Sequence, residues 1–303
     1  MTRSLLLCLL LVPALAAHAG ERDAGKSNSQ GRIKASFQQE AARSGAVATP
    51  KLRSAIALIY DQQTQLPLYA KNPDTLAPIA SITKLMTAMV VLDAQLPMDE
   101  EIRIESADID RLKGTKSRLR VGMTLTRGEL LKLALMASEN RAAAALARAY
   151  PGGYDAAIAA MNAKAVELGM QDTRFLDPTG LSSDNVSTAH DLVRMVAAAR
   201  EYALIHQYTT SASHSVPGRR GREMRFVNTN PLVRSASWDI GVSKTGYISE
   251  AGRCLVMEAT INERPVIIVL LDSWGKRTRI GDANRIKKWM ESAEAHGHAA
   301  HRS

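Results

Sequence analysis

The amino-acid sequence predicts a mixed α/β fold of the α+β type. An antiparallel sheet built from N- and C-terminal strands is flanked by helices, and an all-helical lobe is inserted between them. Strand-like runs at both ends of the chain and Ala- and Leu-rich helical segments between them predict this arrangement. The 303 residues are 46% hydrophobic and 23% charged, which excludes a disordered chain and a collagen-like repeat.

The first fifty residues predict export. Arg3 precedes the apolar run Leu5–Ala16, and small residues follow it, so residues 1–19 are typical of a signal peptide cut after Ala19. The run is too short for a membrane-spanning helix, so we expect no stable membrane anchor. Residues 20–50 are polar and read as a flexible lead-in. Cleavage would leave Cys254 as the one mature cysteine, which we interpret as a buried strand residue.

The N-terminal half of the remaining chain predicts a hairpin followed by helices. Ser54–Tyr60 and Leu66–Lys71 flank a polar turn. The expected helices are Ser81 to about Gln95, Thr126–Tyr150 with an interruption near Ser138, Tyr154–Leu168 and Thr188–Glu201. Together these place a helical lobe at about 95–235.

The C-terminal part predicts strands and one last helix. β-branched segments occur at Ile240–Val242, Arg253–Ile261 and Val266–Asp272, with a tight turn between the last two. The helix is expected at Thr278 to about Ala293, with its apolar side on the sheet, and residues 294–303 are expected to be a disordered tail.

Ser81-Ile82-Thr83-Lys84 is the first motif with catalytic potential. At a helix start, residues three apart share a face, so the Ser81 hydroxyl and the Lys84 amine can meet. Lys84 could remove the serine proton only if it were neutral, which requires burial and a second cation, and Lys244 is the obvious candidate. Ser273-Trp274-Gly275-Lys276 matches the same pattern but follows an apolar strand, where this spacing separates the side chains.

Two further motifs complete the set. Ser138-Glu139-Asn140 interrupts two apolar helices and is preferred over the alternative Ser183-Asp184-Asn185, which lies in a polar loop. Lys244-Thr245-Gly246 follows an apolar strand segment, where Gly246 would allow another backbone to approach closely. Each motif alone has an ordinary structural explanation, so the prediction depends on the combination.

The trio in this order resembles the penicillin-binding proteins and serine β-lactamases. The likeness covers roughly residues 50–290 and extends to Leu112–Gly122, the run at 135–144 and Phe175–Leu181. Lys113–Leu119 and Asn228–Asn230 are most similar to the D-alanyl-D-alanine endopeptidase branch of the low-molecular-mass enzymes. The resemblance implies one peptidase domain at 51–293 with the serine β-lactamase/penicillin-binding-protein fold.

The resemblance also implies the role of each residue. Ser81 would be the acylated nucleophile, Lys84 its base, and Ser138 a proton relay to the leaving amine. Asn140, Lys244 and Thr245 would bind the substrate. The backbone N–H groups of Ser81 and Tyr247, the residue after Gly246, would form the oxyanion hole.

The implied function is hydrolysis of D-Ala–diaminopimelate cross-links in peptidoglycan, in the periplasm, with β-lactam antibiotics as covalent inhibitors. A D-alanyl-D-alanine carboxypeptidase with the same site stays open as the alternative. A β-lactamase is less favoured, because the Phe175–Leu181 stretch lacks the Glu-x-x-Leu-Asn that positions the hydrolytic water in the first class of those enzymes. The third alternative is a non-catalytic wall-binding protein.

Composition and motifs also limit which classes of partner and cofactor are expected. The net charge of +9 favours an anionic partner, and with an export signal and 4% aromatic residues we expect the cell wall rather than nucleic acid. The histidines at 190, 206 and 214 lack the spacing of metal ligands, so we expect no bound metal. The trio of catalytic motifs needs no cofactor, so we expect none.

Overall fold

The computed structural model describes residues 49–218 and 222–300, with side chains through residue 293. The expected signal peptide and residues 20–48 of the lead-in lie outside the described residues. Thr49–His298 form one compact unit.

The central sheet has five antiparallel strands in the order β2-β1-β11-β10-β9. Its strands are β1 (Ile56–Asp61), β2 (Leu66–Lys71), β9 (Asp239–Ile248), β10 (Gly252–Ile261) and β11 (Arg264–Ser273). The predicted sheet of N- and C-terminal strands is therefore confirmed, and β9, which carries the third motif, is an edge strand.

Short strands form three additional ladders: β3–β6, β4–β5 and β7–β8. They are β3 (Ala77–Pro78), β4 (Glu101–Arg103), β5 (Thr124–Thr126), β6 (Val186–Ser187), β7 (Ser213–Pro217) and β8 (Glu223–Val227). The middle segment is thus mostly helical, and the expectation of an all-helical lobe was wrong in this respect. Each of these strands has only two to five residues, too few for the sustained apolar alternation that marks a strand in sequence.

Seven α-helices occur in the described ranges. They are α1 (Lys84–Asp93), α2 (Arg127–Met136), α3 (Asn140–Arg148), α4 (Gly153–Glu167), α5 (Ala189–Arg200), α6 (Ala203–Thr209) and α7 (Thr278–Ala300). A 3₁₀ turn, Ala80–Thr83, leads into α1. The sequence did not predict α6. Helix α7 continues to Ala300 instead of ending near 293, since its last turns contain several alanines, the strongest helix formers.

The sheet lies between two apolar layers. Leu58 faces the cluster formed with the lobe helices, whereas Ala57 and Ile59 face Ile286 and Met290 of α7. Alternation along β1 therefore buries both of its faces, and the expected packing of the last helix on the sheet is confirmed. Helix α5 also packs on the sheet, against β1, β10 and β11, although it falls within the segment assigned to the lobe.

The described part of the chain contains no helix that is both long and apolar enough to cross a bilayer. Cys254 lies on β10 with 0% exposure, as expected, and burial raises the pKa of its thiol to about 12.

Candidate active site

Ser81 and Lys84 lie where the edge strand β9 meets the turn between α2 and α3, and we call this meeting point the cleft. The 3₁₀ turn carries Ser81, and Lys84 is the first residue of α1, so the two side chains share a face. Lys84 Nζ donates to Ser81 Oγ at 2.9 Å. The contact that the i, i+3 spacing predicted is therefore present.

Lys84 is almost completely buried, with 1% exposure. Its Nζ also donates to Asn140 Oδ1 at 2.7 Å and to the Thr179 carbonyl at 2.5 Å. Burial lowers the pKa of Lys84 from 10.5 to about 7, although the carboxylates of Asp177 and Glu139 oppose this shift. A substantial neutral fraction is therefore present near neutral pH, as a general base requires.

The second motif forms the turn between α2 and α3. Ser138 has a φ of 58°, in the left-handed region that residues other than glycine rarely adopt. This conformation breaks the helical run, so that Ser138 and Asn140, the first residue of α3, both reach the cleft. The predicted interruption of the two helices is confirmed, and it occurs at the motif itself.

Lys244 approaches the same turn from β9. Its Nζ donates to Ser138 Oγ at 2.8 Å and to the Thr245 carbonyl at 2.9 Å. Burial lowers the pKa of Lys244 well below 10.5, and repulsion from Lys84 and Arg279 lowers it further. An anion entering the cleft would favour its protonated form, since an opposite charge stabilises the ammonium group.

The open edge of β9 faces Ser81. The Thr245 carbonyl accepts from Lys244 on this edge, and backbone groups alternate along a strand, so the N–H of Tyr247 faces the same way. A Cβ added at Gly246 would come within 3.0 Å of the Ser81 nitrogen. The predicted close approach at Gly246 is therefore present, and this part of β9 packs directly against the Ser81 backbone.

A loop that sequence reasoning did not assign to the site completes the surroundings of Lys84. The Asp177 carboxylate accepts from the backbone amides of Thr179 at 2.6 Å, Gly180 at 2.9 Å and Ser182 at 2.9 Å. Gly180 has a φ of 76°, and a Cβ there would lie 1.8 Å from the Ala80 carbonyl oxygen. The loop therefore presents the Thr179 carbonyl to Lys84 only with glycine at 180.

A second loop, residues 110–117, leans on the Ser138 turn. Thr115 Oγ1 accepts from Asn140 Nδ2 at 3.0 Å, and Ser117 Oγ donates to Glu139 Oε1 at 2.8 Å. Asp110 fixes the loop by accepting from three of its backbone amides and from the Thr115 hydroxyl. No spacing rule indicated these contacts, because they join distant segments.

A cavity of about 300 Å³ opens beside Asn140. Its lining includes Asp110, Tyr154, Asp177 and Thr179. Both oxygens of Asp110 accept two hydrogen bonds from its own loop, whereas Asp177 Oδ2 accepts one, from the Ser182 amide.

Sequence reasoning also missed two contacts of β9. Thr245 Oγ1 donates to Thr229 Oγ1 at 2.6 Å, and Arg279 Nη1 donates to the Gly246 carbonyl at 3.0 Å. Arg279 begins α7 and is 9% exposed. Only the tertiary packing of α7 against the sheet brings it below the site.

The two alternative matches to the motifs, Ser183-Asp184-Asn185 and Ser273-Trp274-Gly275-Lys276, are called decoy motifs here, and both make structural contacts. Asn185 accepts from the backbone amides of Leu176 and Asp177, and its Nδ2 donates to the Asp177 carbonyl and to Thr83 Oγ1. Ser273 Oγ is 2.7 Å from Ser54 Oγ at the end of β11. In the described ranges, no group of three or more His, Cys, Asp or Glu side chains is arranged to hold a metal ion.

Comparison with known proteins adds to the geometry. A family model described as D-alanyl-D-alanine carboxypeptidase matches residues 43–275. A D-alanyl-D-alanine endopeptidase from Pseudomonas aeruginosa is 49% identical over 253 residues, covering 83% of this chain and 82% of that protein. An Escherichia coli D-alanyl-D-alanine endopeptidase is 47% identical over 263 residues, covering 84% of each chain.

Solved structures support the same fold. The crystal structure of a Streptomyces DD-transpeptidase superimposes with a TM-score of 0.74 at 29% identity, covering 80% of this chain and 98% of that one. The predicted serine penicillin-binding fold is confirmed by this match.

Proposed function

The chain belongs to the D-alanyl-D-alanine carboxypeptidase family, and on that premise we propose that it is a penicillin-sensitive serine endopeptidase of peptidoglycan. It hydrolyses D-Ala–diaminopimelate cross-links through an acyl-enzyme on Ser81. The observation that carries the proposal is the buried Lys84, with a lowered pKa and an Nζ 2.9 Å from Ser81 Oγ. The two endopeptidases that share nearly half of its residues support the choice of bond.

Acylation begins with proton transfer from Ser81 Oγ to neutral Lys84. The oxygen attacks the carbonyl carbon of D-Ala, and the resulting oxyanion accepts hydrogen bonds from the backbone amides of Ser81 and Tyr247. The proton passes to the leaving amine by way of Ser138, whose oxygen is held by Lys244. The amine departs, and water then hydrolyses the ester to regenerate Ser81.

Substrate binding uses the remaining motif residues. Asn140 holds the amide of the acyl-donating peptide, while its Oδ1 keeps Lys84 in place. Lys244 and Thr245 bind the carboxylate on the leaving side. A penicillin fits the same arrangement, since its strained amide carbonyl and its carboxylate resemble those of the D-Ala terminus.

Penicillin should be released slowly. A β-lactamase needs a base that activates water against the ester. The Asp177 carboxylate is engaged by its own loop, since Oδ1 accepts from the Thr179 and Gly180 amides and Oδ2 accepts from the Ser182 amide. This contact pattern supports a penicillin-binding enzyme over a β-lactamase.

A carboxypeptidase acting at the same site is the second candidate. The matching family model carries that description, and the catalytic groups for trimming a free D-Ala and for cutting a cross-link are identical. Only the length of the leaving group distinguishes the two reactions.

The natural partners in this proposal are peptidoglycan peptides, and no nucleic acid or stable membrane anchor is involved. We place the enzyme in the periplasm, after removal of residues 1–19. The basic composition supports attraction to an anionic wall.

Purified muropeptides test the reaction. Cross-linked dimers should fall to monomers, and the activity should disappear on prior treatment with penicillin. Loss of D-Ala from pentapeptides with intact dimers would instead establish the carboxypeptidase.

Labelled penicillin tests the nucleophile. Ser81→Ala should abolish covalent labelling, whereas Ser183→Ala, in the decoy motif, should label like the wild type. Covalent label on the Ser81→Ala protein would overturn the assignment. Wall binding by a wild-type protein that neither cleaves nor is labelled would favour the non-catalytic alternative.

A further inference from the structure

An ion pair joins the two sides of the cleft beyond the catalytic groups. Lys113 Nζ contacts Glu250 Oε1. Lys113 belongs to the loop that contacts Asn140 through Thr115, whereas Glu250 lies three residues past Tyr247, just after the end of β9. Their side chains are 28% and 41% exposed, so both charges remain accessible from the cleft mouth.

The backbone around both charges is well held. The Lys113 amide donates to Asp110 Oδ1 at 2.9 Å, within the hydrogen-bonded 110–117 loop. Glu250 lies two residues past the end of the edge strand, and its Oε2 accepts from Ser249 Oγ at 2.7 Å. Exposed ion pairs of this kind add little to stability, so stability alone is a weak reason for this one.

Both groups have spare hydrogen-bonding capacity. An ammonium group has three N–H donors, and among the described residues only Glu250 is shown accepting from Lys113 Nζ. A carboxylate offers about four acceptor positions; Glu250 accepts from Lys113, from Ser249 and from its own backbone N–H, which leaves about one. The pair can therefore bind a ligand carrying one carboxylate and one ammonium group without losing its own contact.

The pair lies on the side of the acyl-donating peptide. In the proposed reaction the leaving group occupies the Lys244–Thr245 end of β9, because Ser138 protonates the leaving amine there. The donor peptide must then run the opposite way, past Tyr247 toward Glu250.

The distances suit the third residue of the donor. Tyr247 and Glu250 are three residues apart in the chain, so their Cα atoms are separated by at most about 10 Å. From the scissile carbonyl carbon, the next Cα beyond D-Ala is about 5 Å away, and a side chain of three methylenes adds about 5 Å. The far end of a diaminopimelate side chain carries one ammonium and one carboxylate group, and it reaches the ion pair.

We infer that Lys113 and Glu250 form a specificity site for the zwitterionic end of the donor diaminopimelate. Lys113 binds its carboxylate and Glu250 its ammonium group. The inference rests on the proposed function and adds a preference for the donor peptide. The cavity beside Asn140 is a weaker candidate for this role, because its Asp110 and Asp177 carboxylates already accept hydrogen bonds from their own loops.

The test compares donors that differ only at this end. Cross-linked dimers and pentapeptides are prepared with free diaminopimelate or with its side-chain carboxylate amidated, and kcat and KM are measured for the full-length protein. The wild type should prefer the free acid about tenfold in kcat/KM, mainly through KM. Lys113→Gln should lose this preference, whereas Lys287→Gln, which removes the lysine of an ion pair on α7, should retain it.

The double variant Lys113→Glu/Glu250→Lys separates binding from a structural link. The reversed ion pair would preserve a purely structural link, and the preference for the free acid would then be kept. Retention of that preference in the double variant would therefore overturn the inference. Equal cleavage of the free and the amidated donors by the wild type would overturn it as well. If Lys113→Gln lowers the rates of penicillin acylation and peptide cleavage by the same factor, the substitution has damaged the active site as a whole rather than removed one contact with the donor. That result would also count against the inference.

Failure of the proposed function gives a different result. Intact dimers together with trimmed pentapeptides would reject the endopeptidase, yet the preference for the free acid would still be measured on the pentapeptides, which share the donor. If neither peptide is cleaved, protection of Ser81 from labelled penicillin by the free and amidated peptides gives the same comparison.

Discussion

The pH dependence expected for the proposed acylation of Ser81 follows from the surroundings of Lys84. Burial lowers the pKa of this lysine from 10.5 to about 7, which corresponds to about 5 kcal/mol at about 1.4 kcal/mol per unit. The neutral, proton-accepting fraction is then about one half at pH 7, about 10% at pH 6 and about 1% at pH 5. Acylation should therefore fall about tenfold per pH unit below 7 and level off above it.

The assay is the second-order rate of labelling by a fluorescent penicillin between pH 5 and 9. A rate that changes less than twofold between pH 5 and 7 would refute the reasoning. A rate that still rises tenfold per unit up to pH 9 would refute it too, since the base would then have an ordinary lysine pKa. Lys84→Arg, which keeps its proton throughout this range, should be inactive at every pH.

A neighbouring carboxylate provides a second check. Glu139 raises the pKa of Lys84, so Glu139→Gln should move the midpoint to lower pH. The amide oxygen can still accept from Ser117, which preserves the contact with the 110–117 loop. Glu263→Gln, in the turn between β10 and β11, is the matched control and should leave the midpoint unchanged.

The same ionisation affects folding. The unfolded chain keeps the lysine proton up to about pH 10.5, whereas the folded chain loses it near 7. The penalty on folding is therefore complete below pH 7 and is released between 7 and 10.5, so this group makes stability rise with pH in that window.

Three further changes test packing near and away from the site. Gly180→Ala places a Cβ 1.8 Å from the Ala80 carbonyl oxygen, so it should destabilise the fold by several kcal/mol and reduce penicillin labelling at least a hundredfold. The control is Gly169→Ala, at a similar φ of 70° but with open space around it, which should cost only about 1 kcal/mol in thermal unfolding. Cys254, with a thiol pKa of about 12, should react with a thiol reagent only after denaturation, and labelling of the native protein would contradict its burial. Asp282→Asn should lower the free energy of unfolding by about 2 kcal/mol, because the buried carboxylate accepts from two backbone amides and a hydroxyl. These hydrogen bonds lower the pKa of Asp282 despite its burial, so the wild type should lose this stability as the pH falls below about 4. An unchanged melting temperature in the variant would argue against this role.

The strands and helices that carry strong periodicity were predictable. β1, β2, β10 and β11 are apolar enough to be recognised, and α7 was placed correctly on the sheet by its apolar side. The β7–β8 hairpin and α6 were missed, because segments of five to seven residues are too short to show a clear hydrophobic period.

Local spacing predicted the Ser81–Lys84 contact, since two residues three apart at a helix start have little choice of geometry. It could not separate Ser138-Glu139-Asn140 from Ser183-Asp184-Asn185 beyond a preference from context. Both fit the same pattern, and only one of them faces Lys84 and Lys244 in the folded chain.

The sequence by itself determined the fold class, the export prediction and the residue types from which a serine–lysine site can be built. The tertiary structure decided what makes those residues reactive. Two contacts join segments that are far apart in the chain: Lys84 Nζ with the Thr179 carbonyl, and Lys113 with Glu250. A pKa depends on the desolvation and charges around a group, and these exist only once distant segments have packed together.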